Sequence, residues 1–413
     1  MAVKYSPPTT AFALPPELEE LKAHARTIVE RECIPLEPKF LSNRWLDSTE
    51  PKPGAFEGQV DGSLPAEDWA HLTQVSQESG LFAIGLPEEY GGGGYGALGQ
   101  VVVAEQLARS AVRLPQSRAM LPLLEGTPAQ IEEFLLPSIR GEKRFAFAQS
   151  EPGAGSDPGN SMRTTARRDG DGWRINGEKM WISAADESDH LLVLTVTDPE
   201  KRQRGGMTMF IVDRDTPGIT MAPVETWLVR KGHQFHVWFD DVYVPHERIL
   251  GAEGGGFGLG QQFLSIQDRL TRGSLAAGRL ARGLELATEW ARNRETFGAP
   301  LSERQAIQWM LVDVYLDLKA IRSVTYETAA RFDAGEDVRH LAAAAKYLGG
   351  NWGHRSMDKI MQIFGGAGET LDLPITTFYR ELRHGRIGGG PDEIQRMLMA
   401  RALLKPGRAV WDD

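Results

Sequence analysis

Phe145-Ala-Phe-Ala-Gln-Ser-Glu-Pro-Gly-Ala-Gly-Ser-Asp157 divides the chain. It begins as a short apolar run and ends in a turn rich in Gly, Ser and Pro. Before it the texture is helical. Pro15-Pro16 opens a run with Leu18, Leu21, Ala25, Ile28 and Val29 near the helical period. Gln100 to Ser110 gives a second helix, and Arg44–Leu64 reads as a long surface loop. After the dividing stretch come short strands. Trp173 to Ser183 reads as a hairpin around Asn176-Gly177, a pair suited to a type I′ turn. His190–Thr197, Met207–Val212 and His236–Val244 follow, and this spacing suggests a small barrel or sandwich.

Helices then return. Phe257 to Arg294 is one long helix, weakened locally by Gly273, Gly278 and Gly283. Gln305–Phe332, Val338–Ile363 and Asp392–Leu404 are the others. The order α, β, α is not the βαβ alternation of a doubly wound sheet. The expected class is therefore α+β. It has a helical domain over 1–144, a β domain over 145–250 and a second helical domain over 251–413.

Composition narrows the function. The 413 residues carry a formal charge of −10, and no basic run points to nucleic acid. Cys33 is the only cysteine, so no disulfide can form within the chain. Neither HExxH nor CxxC occurs. His233 and His236 are three apart on a strand and would face opposite sides, so no metal site is expected. Met1–Thr10 lacks the apolar core of a signal peptide. No apolar run approaches the ~20 residues that span a bilayer. A soluble, cytoplasmic chain without a transmembrane segment is expected.

Five motifs stand out. Gly91-Gly-Gly-Gly-Tyr-Gly96 fits GxGxxG, but Pro87-Glu-Glu-Tyr90 before it is no strand, and a dinucleotide fingerprint needs one. A glycine-rich connection to a helix is the better account. Glu151–Asp157 exposes backbone N–H groups of the kind that bind anions or polar ligand edges. Met180-Trp-Ile-Ser183 supplies an aromatic surface. Arg294-Glu-Thr-Phe-Gly298 ends a helix with a cation, a hydroxyl and a ring. Gln362-Ile-Phe-Gly-Gly-Ala-Gly368 ends another in glycines that allow close approach to the backbone.

The last four motifs, in this order and at these distances, resemble the acyl-CoA dehydrogenase family, and the resemblance runs from Pro15 to Leu404. It implies an N-terminal helical domain, a middle β domain and a C-terminal four-helix bundle. It also implies FAD, held between the β domain, the C-terminal helices and a neighbouring subunit. Phe147 to Ser156 would line the flavin, including Gln149 and Gly155, with hydrogen bonds from Ser150 and Ser156. Trp181, Ile182 and Ser183 would cover the face away from substrate. Arg294, Thr296 and Phe297, with Gln305 nearby, would reach the partner's FAD. Gln362, Ile363, Gly365 and Gly366 would contact its diphosphate or adenosine half. Ser156, Arg269, Arg272, Gly390 and Arg396 correspond to acyl-CoA contacts. The resemblance further implies a place in fatty acid metabolism, an electron-transfer flavoprotein or similar acceptor, and a homodimer or homotetramer.

Family members remove an α-proton with a carboxylate while a β-hydride passes to the flavin. The cofactor carries the redox step and the protein supplies position and electrostatics. The developing enolate oxygen needs donors aimed at it. The family's base lies in a stretch resembling Tyr-Glu-Gly-Thr-x-Gln-Ile-Gln-Arg. Here that stretch is Gly388-Gly-Gly-Pro-Asp-Glu-Ile-Gln-Arg396, which puts Gly389 at the base position. A subgroup carrying Asp-Gly-Pro-Asp-Glu is the nearest match, with Gly in place of its first Asp. Some relatives place the base on the helix after the β domain, at the position of Thr271.

Three accounts follow. Another carboxylate acts: Asp268, one turn before Thr271, whose plain alternative is an ion pair with Arg272, or Asp392, whose plain alternative is a helix N-cap. Or the flavin serves a monooxygenase or oxidase. Or the chain is a weakly active acyl-CoA-binding partner subunit. If only the base is missing, a carboxylate restored at 389 should speed flavin reduction.

Overall fold

A computed structural model describes residues 13–42, 64–226 and 233–407. The loop expected over Arg44–Leu64 falls outside these residues, apart from Leu64. The chain forms two compact units. One comprises residues 1–88, 92–115 and 268–413, and the other residues 89–91 and 116–267. The two helical blocks separated in sequence thus share one unit.

The second unit is built on a mixed sheet. Its strands are β1 (Phe145–Ala148), β2 (Thr165–Asp169), β3 (Gly172–Ser183), β4 (His190–Val196), β5 (Met207–Asp213), β6 (Ile219–Val224), β7 (Gln234–Pro245) and β8 (Ile249–Leu250). Their order is β6-β7-β3-β2-β4-β5-β8, and β1 pairs in parallel with β4. Every β4 residue is buried, as expected of an apolar run covered on both faces. Trp173, Ile175, Leu191, Val193, Phe210, Val212, Val237 and Val244 form the core against the sheet. Each such side chain contributes roughly 1.5–3 kcal/mol on burial.

The hairpin expected at Asn176-Gly177 is not there. Both residues lie inside β3, and the turn is Gly170-Asp171, between the paired Asp169 and Gly172. Gly170 takes the positive φ of +57° that the turn requires. At Asn176-Gly177 the pairing with β7 slips in register. Gly177 has φ +144°, and a Cβ there would stand 2.6 Å from Thr164 Cα. Glycine suits a bulge as well as a turn, and neighbours on both sides of β3 decide for the bulge.

The helical unit contains Pro16–Ile28, Ala66–Glu78, Gly96–Leu107, Arg269–Asn293, Gln305–Asp333, Arg339–Tyr347, Gly353–Phe364, Ile375–Gly385 and Asp392–Leu403. The expected single helix over 257–294 is interrupted by a π-type segment at Phe263–Asp268. Its glycines are contact points. A Cβ on Gly273 would come 2.2 Å from Thr325 Oγ1, and one on Gly278 would come 2.1 Å from the Glu105 carbonyl oxygen. Small residues there let Gln305–Asp333 and Gly96–Leu107 lie close to Arg269–Asn293. The Gly91–Gly96 stretch follows a short turn at Glu88–Tyr90 and leads into Gly96–Leu107, with no strand before it among the described residues.

Candidate functional site

The exit of β1 is braced from beneath. Lys179 is fully buried and donates to Glu151 Oε1 at 2.9 Å and to the Gln149 carbonyl at 3.2 Å. Glu151 also accepts from the backbone N–H groups of Arg163 (2.6 Å) and Thr164 (2.9 Å). Burial pushes the Lys179 ammonium down to about 8, with Glu151 opposing. Burial also raises Glu151, but Lys179 and the donated hydrogen bonds outweigh it, and its carboxyl ends below the usual range. This strut escaped sequence reading. Its only signal was a lysine at a β3 position whose neighbours two away are apolar or small.

Above the strut, the turn carries Gln149, Gly155 and Ser156. Gln149 is buried, and its Oε1 has no hydrogen-bond partner. Gly155 and Ser156 are exposed, and nothing lies within 4 Å of where a Gly155 Cβ would be. The Phe147 ring packs 4.6 Å from that of Phe263. A register slip between Met180 and Ile182 throws Trp181 outward, 51% exposed at φ +65°. A non-glycine residue at positive φ is costly and marks a site worth explaining. Ile182 turns into the core, so only its backbone can meet a ligand. Ser183 Oγ accepts from Gln234 Nε2 at 2.9 Å.

The helical unit carries the remaining groups. Arg294 caps Arg269–Asn293 and is exposed. Thr296 lies in a small hairpin whose tip is Phe297, fully exposed at φ +49°. Arg304 secures the hairpin through the Thr296 carbonyl, and exposed Gln305 opens the next helix. Gln362 is exposed and Ile363 buried at the end of Gly353–Phe364. Gly365 takes φ +60°, and Gly366 has open space around its α-carbon. Within the β unit the unpartnered Gln149 acceptor and the exposed Trp181 ring fit the polar edge and flat face of a flavin; within the helical unit the exposed Phe297 and the open Gly365 and Gly366 fit close approach by a diphosphate-bearing group such as FAD.

The base position is crowded. Gly389 has φ +69°, and a Cβ on it would lie 1.9 Å from Asp268 Oδ2. A side chain at 389 would have to displace the Asp268 carboxylate and adopt a positive φ that favours glycine. Asp268 makes the expected pair with Arg272, Oδ1 to Nη2 at 3.2 Å. Asp392 is no N-cap: Pro391 occupies that position and Asp392 is the first helical residue. Its carboxylate instead accepts from Arg386 Nε at 2.9 Å and Asn351 Nδ2 at 3.1 Å, with the Lys346 ammonium 3.5 Å away. Burial pushes Lys346 down to about 8, Asp392 opposing.

Burial also pushes His384 down to about 3, with Arg272 adding to the shift. Its ring lies against Gly388, where a Cβ would be 2.8 Å from Nε2. Arg269 is buried, whereas Arg396 is exposed with its guanidinium 5.7 Å from the Tyr347 ring. The Gly390 carbonyl accepts from Gln395 Nε2 at 2.8 Å.

Elsewhere, His236 is bonded to Glu178 at 2.6 Å and stacked on Trp238. Among the described residues no three His, Cys, Asp or Glu side chains gather as a metal site would need. No described helix is long and apolar enough to cross a membrane.

Fold and motifs together define an enzyme of the flavin oxidoreductase class. The acyl-CoA dehydrogenase N-terminal, middle and C-terminal domains match residues 15–142, 146–242 and 254–404. The chain therefore belongs to the acyl-CoA dehydrogenase family. It is 35% identical over 402 residues to a probable acyl-CoA dehydrogenase, fadE25, of Mycobacterium leprae, covering 95% of this chain and 97% of that one. It is 34% identical to the mitochondrial short-chain specific acyl-CoA dehydrogenase of Rattus norvegicus, over 83% of this chain and 85% of that one. The structure of butyryl-CoA dehydrogenase from Megasphaera elsdenii superposes with a TM-score of 0.81. The two share 28% identity, with 95% of this chain and all of the other covered.

Proposed function

We propose that the protein uses FAD to introduce an α,β double bond into an acyl-CoA thioester and passes the electrons to an electron-transfer flavoprotein or similar acceptor. The observation that carries this reading is the β1 exit, where a buried ion pair fixes the turn beneath the unpartnered Gln149 Oε1. Kinship with named acyl-CoA dehydrogenases supports it, and Gly390-Pro-Asp-Glu393 supports a place near the Asp-Gly-Pro-Asp-Glu subgroup.

Gln149, Ser150 and Ser156 would hold the flavin's polar edge and Trp181 one ring face. When bound, FAD supplies the two-electron acceptor. Arg294, Phe297 and Gln362 to Gly366 are exposed or end in open glycines, which suits contact with a second subunit's FAD. We therefore also propose a homodimer or homotetramer. Exposed Arg396 is suited to the phosphates of CoA, while Arg272 positions Asp268.

The test is anaerobic. The purified FAD-loaded protein is mixed with butyryl-, octanoyl-, palmitoyl- and isobutyryl-CoA while flavin absorbance is followed. At least one thioester bleaches the flavin without another reductant. A flavin that no thioester bleaches, but that an external reductant bleaches and oxygen restores, would replace this reading with the oxygenase or oxidase one.

A further inference from the structure

Three consecutive glycines, Gly388–Gly390, join Ile375–Gly385 to Asp392–Leu403, and Gly389 and Gly390 both take positive φ. Such a segment has no side chains to fix its own path, and glycine has the most backbone freedom to lose. Its shape must be imposed by the elements around it.

The clamp comes from one side. Gln395 is fully buried in the first turn of the following helix. Its Nε2 donates to the carbonyls of Gly390 at 2.8 Å and Gly389 at 3.3 Å. Asp392 closes the ends of the loop. Its N–H donates to the Arg386 carbonyl at 3.1 Å, and its Oδ2 accepts from Arg386 Nε at 2.9 Å and Asn351 Nδ2 at 3.1 Å. The other oxygen, Oδ1, is buried without a hydrogen bond and has the fully buried Lys346 ammonium 3.5 Å away. Both glycine carbonyls are thus engaged, while the N–H groups of Gly389 and Gly390 have no partner among the described residues.

We propose that Gln395 and Lys346 are positioning residues that hold the Gly388–Gly390 loop in one conformation against the bound thioester. Gln395 fixes the two carbonyls. Lys346 acts through Asp392, whose bonds to Arg386 and Asn351 close the loop. The role rests on the dehydrogenase reading above.

Lys346 makes the clamp depend on pH. Its ammonium is faced by Asp392 from the last helix, by Asp268 and Arg272 from the start of the long one, and by His384 from Ile375–Gly385. His384, pushed down to about 3, is neutral at neutral pH. Burial brings Lys346 down to about 8, Asp392 opposing. Above that pH Asp392 loses the positive partner of Oδ1 and the clamp weakens. The folded value lies below the unfolded one, so between the two the unfolded chain holds the extra proton. This group's contribution to stability therefore rises with pH there. Flavin reduction and the lysine's share of stability move in opposite directions, as they would not for a merely structural lysine.

The experiment compares FAD-loaded wild type, Lys346→Met, Lys346→Arg and Gln395→Met on either side of pH 8. Three quantities are measured: anaerobic single-turnover reduction by the acyl-CoA that bleaches wild type fastest, FAD retention, and melting temperature. Wild-type reduction should fall as pH passes 8. Lys346→Met should be slower by about 10- to 100-fold below that pH, the scale of a misplacement of about 1 Å, and should show no such fall. Lys346→Arg, whose charge does not titrate in this range, should also lose the fall. Gln395→Met should slow reduction on the same scale with FAD retained. The melting temperature of wild type should rise relative to that of Lys346→Met as pH increases through the transition.

Lys179 is also held at about 8, so a fall that persists in both Lys346 variants belongs to it and overturns the role of Lys346. Gln395→Met reduced as fast as wild type overturns the clamp, and so does slowing that merely tracks lost FAD or unfolding. In each of these cases a reduced wild type leaves the dehydrogenase reading standing. A wild type that no acyl-CoA reduces removes that reading, and this role with it.

Discussion

Glu151 and Lys179 show how one buried pair can hold a glycine-rich turn in shape. Removing one partner of a buried pair leaves an uncompensated charge and typically costs about 3–5 kcal/mol. Lys179→Met should lose stability on that scale and release FAD, and Lys179→Met/Glu151→Gln should recover much of it, measured by melting and flavin retention. The pH dependence has a definite sign. In the wild type the Glu151 carboxyl is held low, so its contribution is present above the ordinary carboxylate range and fades as pH falls through the folded value. In Lys179→Met the lysine's charge is gone, and burial raises Glu151 against the two backbone N–H donors that remain. The variant's native state then takes up a proton at higher pH than the wild type's, which relieves its uncompensated charge as pH falls. The deficit of Lys179→Met at pH 7 should therefore narrow on acidification. Melting curves in which the gap widens would contradict the buried-charge account.

Among the elements, Arg269–Asn293 repays the closest reading. Sequence propensity counts Gly278 as a weak point, but its α-carbon is where the Glu105 backbone comes to rest. Gly278→Ala should push the two helices apart at a cost of about 1–3 kcal/mol, the usual range for overpacking. Gly258→Ala, in Gly256–Gln262 with nothing within 4 Å of its Cβ position, should be neutral or stabilising. Thermal melts of the two variants check the contrast, and equal losses would remove the contact argument.

The same elements show what sequence could reveal. The α, β, α order and the long helices were legible because periodicity and a few local motifs determine them. β2 was missed because Thr165-Ala-Arg-Arg-Asp169 is largely exposed and polar, and β6 because Ile219–Val224 is only half-buried and contains Pro223. Asn176-Gly177 was misplaced because a two-residue signature cannot tell a turn from a bulge without its partners. The meeting of Asp268 with Gly389 was illegible for a plainer reason: it joins two helices distant in the chain, and a glycine does not announce what fills its empty volume.

For the whole molecule, the main question is what covers the surfaces left open. Trp309 is 62% exposed, and Val312 and Leu316 stand beside it on the same face of Gln305–Asp333. With Phe297 fully exposed, this is a large apolar surface for a lone subunit. A second copy related by two-fold symmetry would bring two equivalent sites across one interface. Light scattering should report at least a dimer. Arg294→Ala should weaken FAD retention, and Trp309→Lys/Leu316→Lys should lose assembly and FAD together. A stable, FAD-saturated monomer would refute the shared site. The division of the chain has its own consequence, for the order of birth. Residues 116–267 carry nearly everything the sheet needs and can close on themselves while the ribosome is still translating. The first helices, with Leu18, Val101 and Val102 waiting for a cover, cannot finish until the segment from 268 onward has emerged. Throughout that interval the nascent chain depends on whatever shields those side chains from other unfinished chains.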